Sequence, residues 1–204
     1  MAARFCTIGH SSRGLAEFLE MLGEAGIDLL IDVRAFPHSR TNPVFNIERL
    51  EPELMPLGIG YRHCPALGGR RKKQGAVKPE VNALWRVPAF HNYADYALSG
   101  EFAAAFDDLV RLGEEQTIAL MCSEAVWWRC HRRIITDYLL LNGHAVDHLM
   151  APGKIEAARP TPGAYRTGSG KVVYPVPAVP QVQGVPPLEP GNGHGVPEWT
   201  SRRT

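Results

Sequence analysis

The chain predicts an α/β protein: an open, mostly parallel sheet of about five strands with flanking helices, followed by a Pro/Gly-rich C-terminal tail. Three observations carry this. Short apolar runs alternate with segments of helical periodicity between residues 4 and 149. The strongest apolar run, Asp28-Leu-Leu-Ile-Asp-Val33, is continuous rather than alternating, as a strand covered on both faces is. The composition then changes near residue 152, since ten of the 17 prolines fall between Pro152 and Pro197.

In chain order, Arg4-Phe-Cys-Thr-Ile8 reads as a strand ending at Gly9-His10. Leu15, Phe18, Leu19 and Leu22 recur at helical spacing, with Gly26 placed to end the helix. Asp28–Val33 is the second strand and Ile59-Gly-Tyr-Arg-His63 a weaker third. Phe102, Phe106, Leu109 and Val110 mark an amphipathic helix that leads into the strand Thr117-Ile-Ala-Leu-Met121. Ile134, Ile135, Tyr138 and Leu139 form a helix closed at Gly143, and Ala145-Val-Asp-His-Leu149 is the last strand. Residues 1–155 are thus expected to form one α/β domain and 156–204 an extended or disordered tail. Proline removes a backbone donor and glycine raises the entropy of ordering, so the tail supplies no regular element beyond the β-prone Lys171-Val-Val-Tyr174.

A net charge of +1 gives no global case for nucleic acid or membrane, so any such case rests on local clusters. The four cysteines lack the spacing of a small disulfide-stapled domain. The N-terminus has no apolar leader core, and no run reaches the roughly 18–20 apolar residues of a membrane helix. Reduced thiols, a cytoplasmic location and no membrane partner are the expectation.

Ligands of open parallel sheets bind outside the carboxyl ends of the strands. Four polar loops begin there: Gly9-His-Ser-Ser12, Arg34 to Asn46, the stretch from His63-Cys64, and Cys122 to Arg133. They are predicted to converge on one pocket. In the last, a cysteine directly after a buried strand stands before a helix start with Arg129, His131, Arg132 and Arg133 close by, a setting that stabilises a thiolate. Cys122 is the candidate reactive group, with Glu124 and His131 as acid/base candidates. Arg34, Arg40, Arg70 and Arg132 are candidate anion binders, since forked guanidinium groups capture phosphate or carboxylate. His10, Asp32, Ser39, Asn46, Trp128 and Cys130 are candidate supporting residues. Asp32 and Glu124 suit either orienting a histidine or, more simply, pairing with Arg34 or Arg132.

The same atoms allow a metal reading, with Cys122, Cys130 and His131 completed by His10 or His63-Cys64. Spacing speaks against it, because seven residues separate the two cysteines and the adjacent Cys130 and His131 side chains are expected to diverge. No metal and no cofactor is assigned.

Thr7-Ile-Gly-His-Ser11, Ile31-Asp-Val-Arg34, Pro37-His-Ser-Arg40, Phe45-Asn46, Leu67-Gly-Gly-Arg70, and Cys122-Ser-Glu124 followed by Trp128-Arg-Cys-His-Arg132 together resemble the family called domain of unknown function 488. The resemblance runs over about residues 5–150 and implies a cytoplasmic α/β domain without specifying a reaction. The layout of the Cys122 loop, with Asp32-Val-Arg34, is more loosely similar to rhodanese-like proteins. It departs from them because Arg129 follows Cys122 at a longer interval and the loop between lacks glycine. Three functions stay open: a pocket for a small anionic, phosphate- or nucleotide-like ligand with cysteine-dependent chemistry, a nucleic-acid-binding or DNA-repair-associated module with inert cysteines, and a Cys/His metal protein. Salt-dependent binding, thiol reactivity and metal content separate them.

Overall fold

The computed structural model describes residues 3–176. Five strands lie parallel in one sheet: β1 (Arg4–Gly9), β2 (Leu29–Asp32), β3 (Gly60–His63), β4 (Ile118–Cys122) and β5 (Ala145–Ala151). A sixth, β6 (Lys154–Ala157), adds antiparallel to β5, and the order across the sheet is β3-β2-β4-β1-β5-β6. The helices are α1 (Leu15–Glu24), α2 (Ile47–Leu54), α3 (Pro88–Tyr96), α4 (Gly100–Gly113) and α5 (Arg132–Leu141). Among the described residues, no helix is long and apolar enough to cross a membrane.

The alternation of side chains along the central strands builds two cores. On one face Phe5, Ile31, Leu120 and Cys122 meet α3, α4 and α5 through Tyr93, Phe102, Ile134 and Tyr138. On the other, Ile8, Leu30 and Met121 meet α1 and α2 through Phe18, Leu22, Leu50 and Leu54. β2 and β4 are buried along their whole length, as the continuous apolar runs predicted. Gly26 and Gly143 follow α1 and α5 with φ of 60° and 90°, conformations that an L side chain rarely adopts. Two short helices lie outside the elements that the sequence predicts. α2 contains Pro52 and buries only Leu50 and Leu54, while α3 buries four consecutive residues that include Asp95.

This layering places the site. The loop after β1 leads to α1 on one face and the loop after β4 leads to α5 on the other, so the chain departs from adjacent strands in opposite directions. A crevice opens between their carboxyl ends. Register keeps the four strand ends level: Gly9 pairs with Cys122, and Asp32 pairs with both Met121 and His63.

The stretch expected to be extended from residue 156 contains more order than its prolines suggested. β7 (Tyr165–Arg166) pairs with β8 (Val172–Val173), and Val172 and Tyr174 are fully buried. Side chains hold it in place of a long ladder: Tyr174 Oη donates to Asp137 Oδ2 at 2.9 Å, and the Thr161 amide donates to Asp137 Oδ1 at 2.8 Å. Residues 177–204, the remainder of that stretch, lie outside the described residues.

Candidate functional site

A cavity of about 510 Å³ opens at the crevice, lined from all four strand-end loops and from α3. His10 enters it from β1, Arg34 to Thr41 from β2, Gly69 and Arg70 from β3, and Cys122 to Glu124 with Arg129 to His131 from β4. The predicted convergence is therefore observed. The loops after β1 and β4 are locked together: the ladder continues past the strands through His10 N to Cys122 O (3.0 Å) and Ser11 N to Ser123 O (2.9 Å). Only glycine fits at position 9, where a Cβ would lie 1.9 Å from the Glu124 carbonyl oxygen. Ser11 and Arg70 both take positive φ, 42° and 59°, so two non-glycine residues in loops bordering the cavity hold strained backbone.

The β2 loop is internally satisfied. Asp32 is fully buried and accepts Arg34 Nε (2.9 and 3.0 Å), Arg34 Nη2 (2.6 Å), the Arg34 amide (3.0 Å) and Tyr61 Oη (2.7 Å). Arg34 also donates to the Phe45 carbonyl at 2.8 Å. The choice left open for Asp32 is settled by this geometry: it pairs with Arg34. His10 stacks on Phe45, donates through Nδ1 to the Ser11 carbonyl (3.1 Å) and turns Nε2 to Arg34 Nη1 (3.3 Å). Burial, with the Arg34 charge second, pulls its pKa down to about 4, so it is a neutral ring. Asn46 Oδ1 accepts the Ser39 amide (2.6 Å) and Ser39 Oγ accepts the Asn42 amide (3.0 Å), so both residues shape the loop.

The β4 loop is different. Residues 123–129 fold back through a 3-10 turn at Trp127–Arg129, and Cys130 N donates to Trp127 O at 3.1 Å. This return brings Cys130 beside Cys122 despite the long spacing. Cys130 is extended (φ −124°, ψ 147°) and His131 helical (φ −58°, ψ −18°). That change of backbone cancels the divergence expected of neighbours at a helix start, and Cys130 Sγ lies 3.6 Å from His131 Nδ1. Cys122 Sγ, Cys130 Sγ and a His131 ring nitrogen all lie within 4.8 Å of one another. His10 and the His63-Cys64 pair are not in this group; His63 Nε2 instead meets the Arg34 carbonyl oxygen at 2.8 Å.

Arg132 is 1% exposed and has no carboxylate partner among the described residues. Its Nε donates to Cys130 Sγ at 3.3 Å and its Nη2 to the Glu124 carbonyl oxygen. Glu124 thus holds Arg132 by its backbone, while its side chain is exposed at the cavity. Burial alone would raise the Cys130 thiol, but the neighbouring Cys122 thiol and the Arg132 charge outweigh it and hold Cys130 down near 6. Cys122 moves the other way, pushed up by the Cys130 sulfur first and by burial second.

Arg40, Arg70 and Arg129 line the cavity, are exposed, and make no side-chain hydrogen bond or ion pair among the described residues. Arg71, next in the basic run, is pinned instead to the Gly68 carbonyl (2.8 Å) and over the Tyr96 ring (3.8 Å). Trp128, a candidate supporting residue, stands 44% exposed and edge-on to Trp127 and is not among the residues lining the cavity. Gly69 and Tyr93 also line the cavity, although the sequence does not assign either to the site. Tyr93 lines the cavity while its Oη donates to the Leu67 carbonyl (2.7 Å), and no periodic signal marks it.

The family model described as Domain of unknown function DUF488 matches residues 14–139. No curated protein and no solved structure matches the chain.

Proposed function

The chain belongs to the DUF488 family, whose name carries no activity, and from the chain's own residues we propose that the pocket binds an anionic ligand bearing phosphate or a phosphate-like group. The observation that supports this is the division among the arginines. Arg34 is held by Asp32 and Arg132 by Cys130 and a carbonyl, whereas Arg40, Arg70 and Arg129 stand at the cavity without a side-chain partner among the described residues. Three forked cations face one cavity of about 510 Å³ and outnumber Glu124, the exposed carboxylate at its lining that opposes an anion, so the balance of charge suits an oxyanion. Of the four arginines first assigned to anion binding, Arg40 and Arg70 keep that role, Arg129 joins them, and Arg34 and Arg132 become the frame behind them.

Chemistry on such a ligand belongs at the floor, where Cys122, Cys130 and His131 face the cavity. The sulfur that carries negative charge is that of Cys130, because Arg132 donates to it and has no carboxylate partner among the described residues. That reassigns the part first given to Cys122. Calorimetric titration of the full chain with pyrophosphate and with a nucleoside monophosphate tests the binding. Arg70→Ala and Arg40→Ala are each expected to weaken it about tenfold, or ~1.4 kcal/mol. Absent binding, or binding indifferent to both substitutions, removes the proposal.

A second reading has its own observation. Phe36 (67% exposed) lines the cavity, and the exposed Trp128 precedes the lining Arg129 in the chain; exposed aromatics near cations are what single-stranded nucleic acid stacks on. It predicts oligonucleotide affinity that falls steeply with salt and drops on Phe36→Ala. Binding of the mononucleotide with no gain for an oligonucleotide excludes it.

A further inference from the structure

We propose that Cys122 Sγ, Cys130 Sγ and His131 Nδ1 form a three-residue site for a zinc-type divalent cation at the pocket floor, with the fourth coordination position facing the cavity. The three groups already stand at chelating distance, within 4.8 Å of one another. Zinc bonds of about 2.3 Å to sulfur and 2.0–2.1 Å to nitrogen, set at tetrahedral angles, put a sulfur and a nitrogen ligand roughly 3.6 Å apart. Cys130 Sγ and His131 Nδ1 are separated by 3.6 Å.

The imidazole is oriented for this role. His131 Nε2 lies 3.0 Å from the Val33 carbonyl oxygen, which only accepts, so Nε2 carries the proton and Nδ1 offers its lone pair toward the sulfurs. A ligating histidine held by a backbone carbonyl through its other nitrogen is the usual outer-shell arrangement of metal sites. Gly69 keeps the approach open, because a Cβ there would sit 2.8 Å from Nδ1. Two sulfurs and an imidazole without a carboxylate select zinc over magnesium or calcium.

Charge accounts for the buried arginine. Two thiolates neutralise a divalent cation, and Arg132 then leaves one net positive charge at the floor, with its Nε–H···S bond steadying Cys130. Three protein ligands are one short of a closed structural site, so the open position is available to water or to an anion in the cavity. A Cys122–Cys130 disulfide would use the same sulfurs but gives no role to the oriented Nδ1.

The test uses the full chain, purified with reductant and without chelator, and titrated with Co²⁺. One equivalent is expected to bring thiolate-to-cobalt charge transfer in the near ultraviolet and tetrahedral d–d bands in the red, both abolished by Zn²⁺. Cys130→Ser and His131→Gln lose these bands, and Cys64→Ser keeps them. Should the ligand variants fail to fold, the wild-type chain still decides. Zinc is expected to slow alkylation at Cys122 and Cys130 about tenfold or more, read by mass mapping, and to leave Cys6 and Cys64 unchanged. No charge-transfer band, or zinc that protects neither cysteine, overturns the site. The site uses none of the rim arginines, so zinc binding without phosphate binding sinks only the anion proposal, and the reverse result sinks only this one.

Discussion

The loops after β2 and β4 flank the same cavity, and each carries a buried arginine, yet the two arginines live in opposite electrostatic settings. Arg34 meets a fully buried carboxylate, Asp32, itself held by Tyr61. Arg132 is equally buried and meets a sulfur and a carbonyl oxygen. A buried cation with a carboxylate is a closed account, and it serves the fold. One whose candidate anion among the described residues is a thiolate leaves chemistry undone, because that thiolate can ligate or react. Counting arginines around a pocket therefore says less about function than asking what each one already holds.

The comparison breaks most visibly at Asp32. Asp32→Ala strands the Arg34 charge in the interior, and a loss of about 3–5 kcal/mol in denaturant unfolding is expected, with metal binding at the β4 loop retained by whatever fraction stays folded. The mirror substitution, Arg132→Met, removes a cation that pairs with no carboxylate among the described residues. Its signature is metal affinity lower by roughly 10–100-fold, the usual size for an outer-shell partner, measured by competition with a chromophoric chelator. An Arg132→Met chain with unchanged metal affinity would make the two arginines equivalent framework residues.

Smaller effects sharpen the contrast. Tyr61→Phe removes one donor from Asp32 and is expected to cost about 1–1.5 kcal/mol of stability, leaving thiol alkylation rates untouched. The mildest is a pH effect. His10 and His148 have folded pKa values of about 4 against an ordinary 6.5, both chiefly through burial. Between those limits the unfolded chain binds protons that the folded chain refuses, so stability falls as pH drops from 6.5 toward 4. His10→Gln should reduce the slope of stability against pH by close to one proton across that window, and an unchanged slope would show that His10 titrates normally.

Much of the frame was legible beforehand. Continuous apolar runs such as Leu29–Asp32 and Ile118–Cys122 can only be doubly covered strands, and polar loops following them on a parallel sheet must share an edge. That reasoning brought His10, Arg34, Arg70 and Cys122 to one cavity. What stayed hidden depends on side-chain partners set by the return path of a loop. The meeting of Cys130 with His131 follows from a switch from extended to helical backbone between two adjacent residues, which no spacing rule contains. Arg71 is pinned over Tyr96 while Arg70, at a positive φ, lines the cavity, a division that the run of basic residues does not foretell. The burial of Tyr174 depends on Asp137, a buried carboxylate on α5 that accepts both its hydroxyl and the Thr161 amide.

The most direct test of the β4 loop as the chemical half of the pocket is zinc K-edge absorption on the zinc-loaded chain. The account predicts a first shell of two sulfurs at about 2.3 Å and one nitrogen at about 2.0–2.1 Å, completed by one light atom at the open position. A shell of oxygen and nitrogen without sulfur would contradict it.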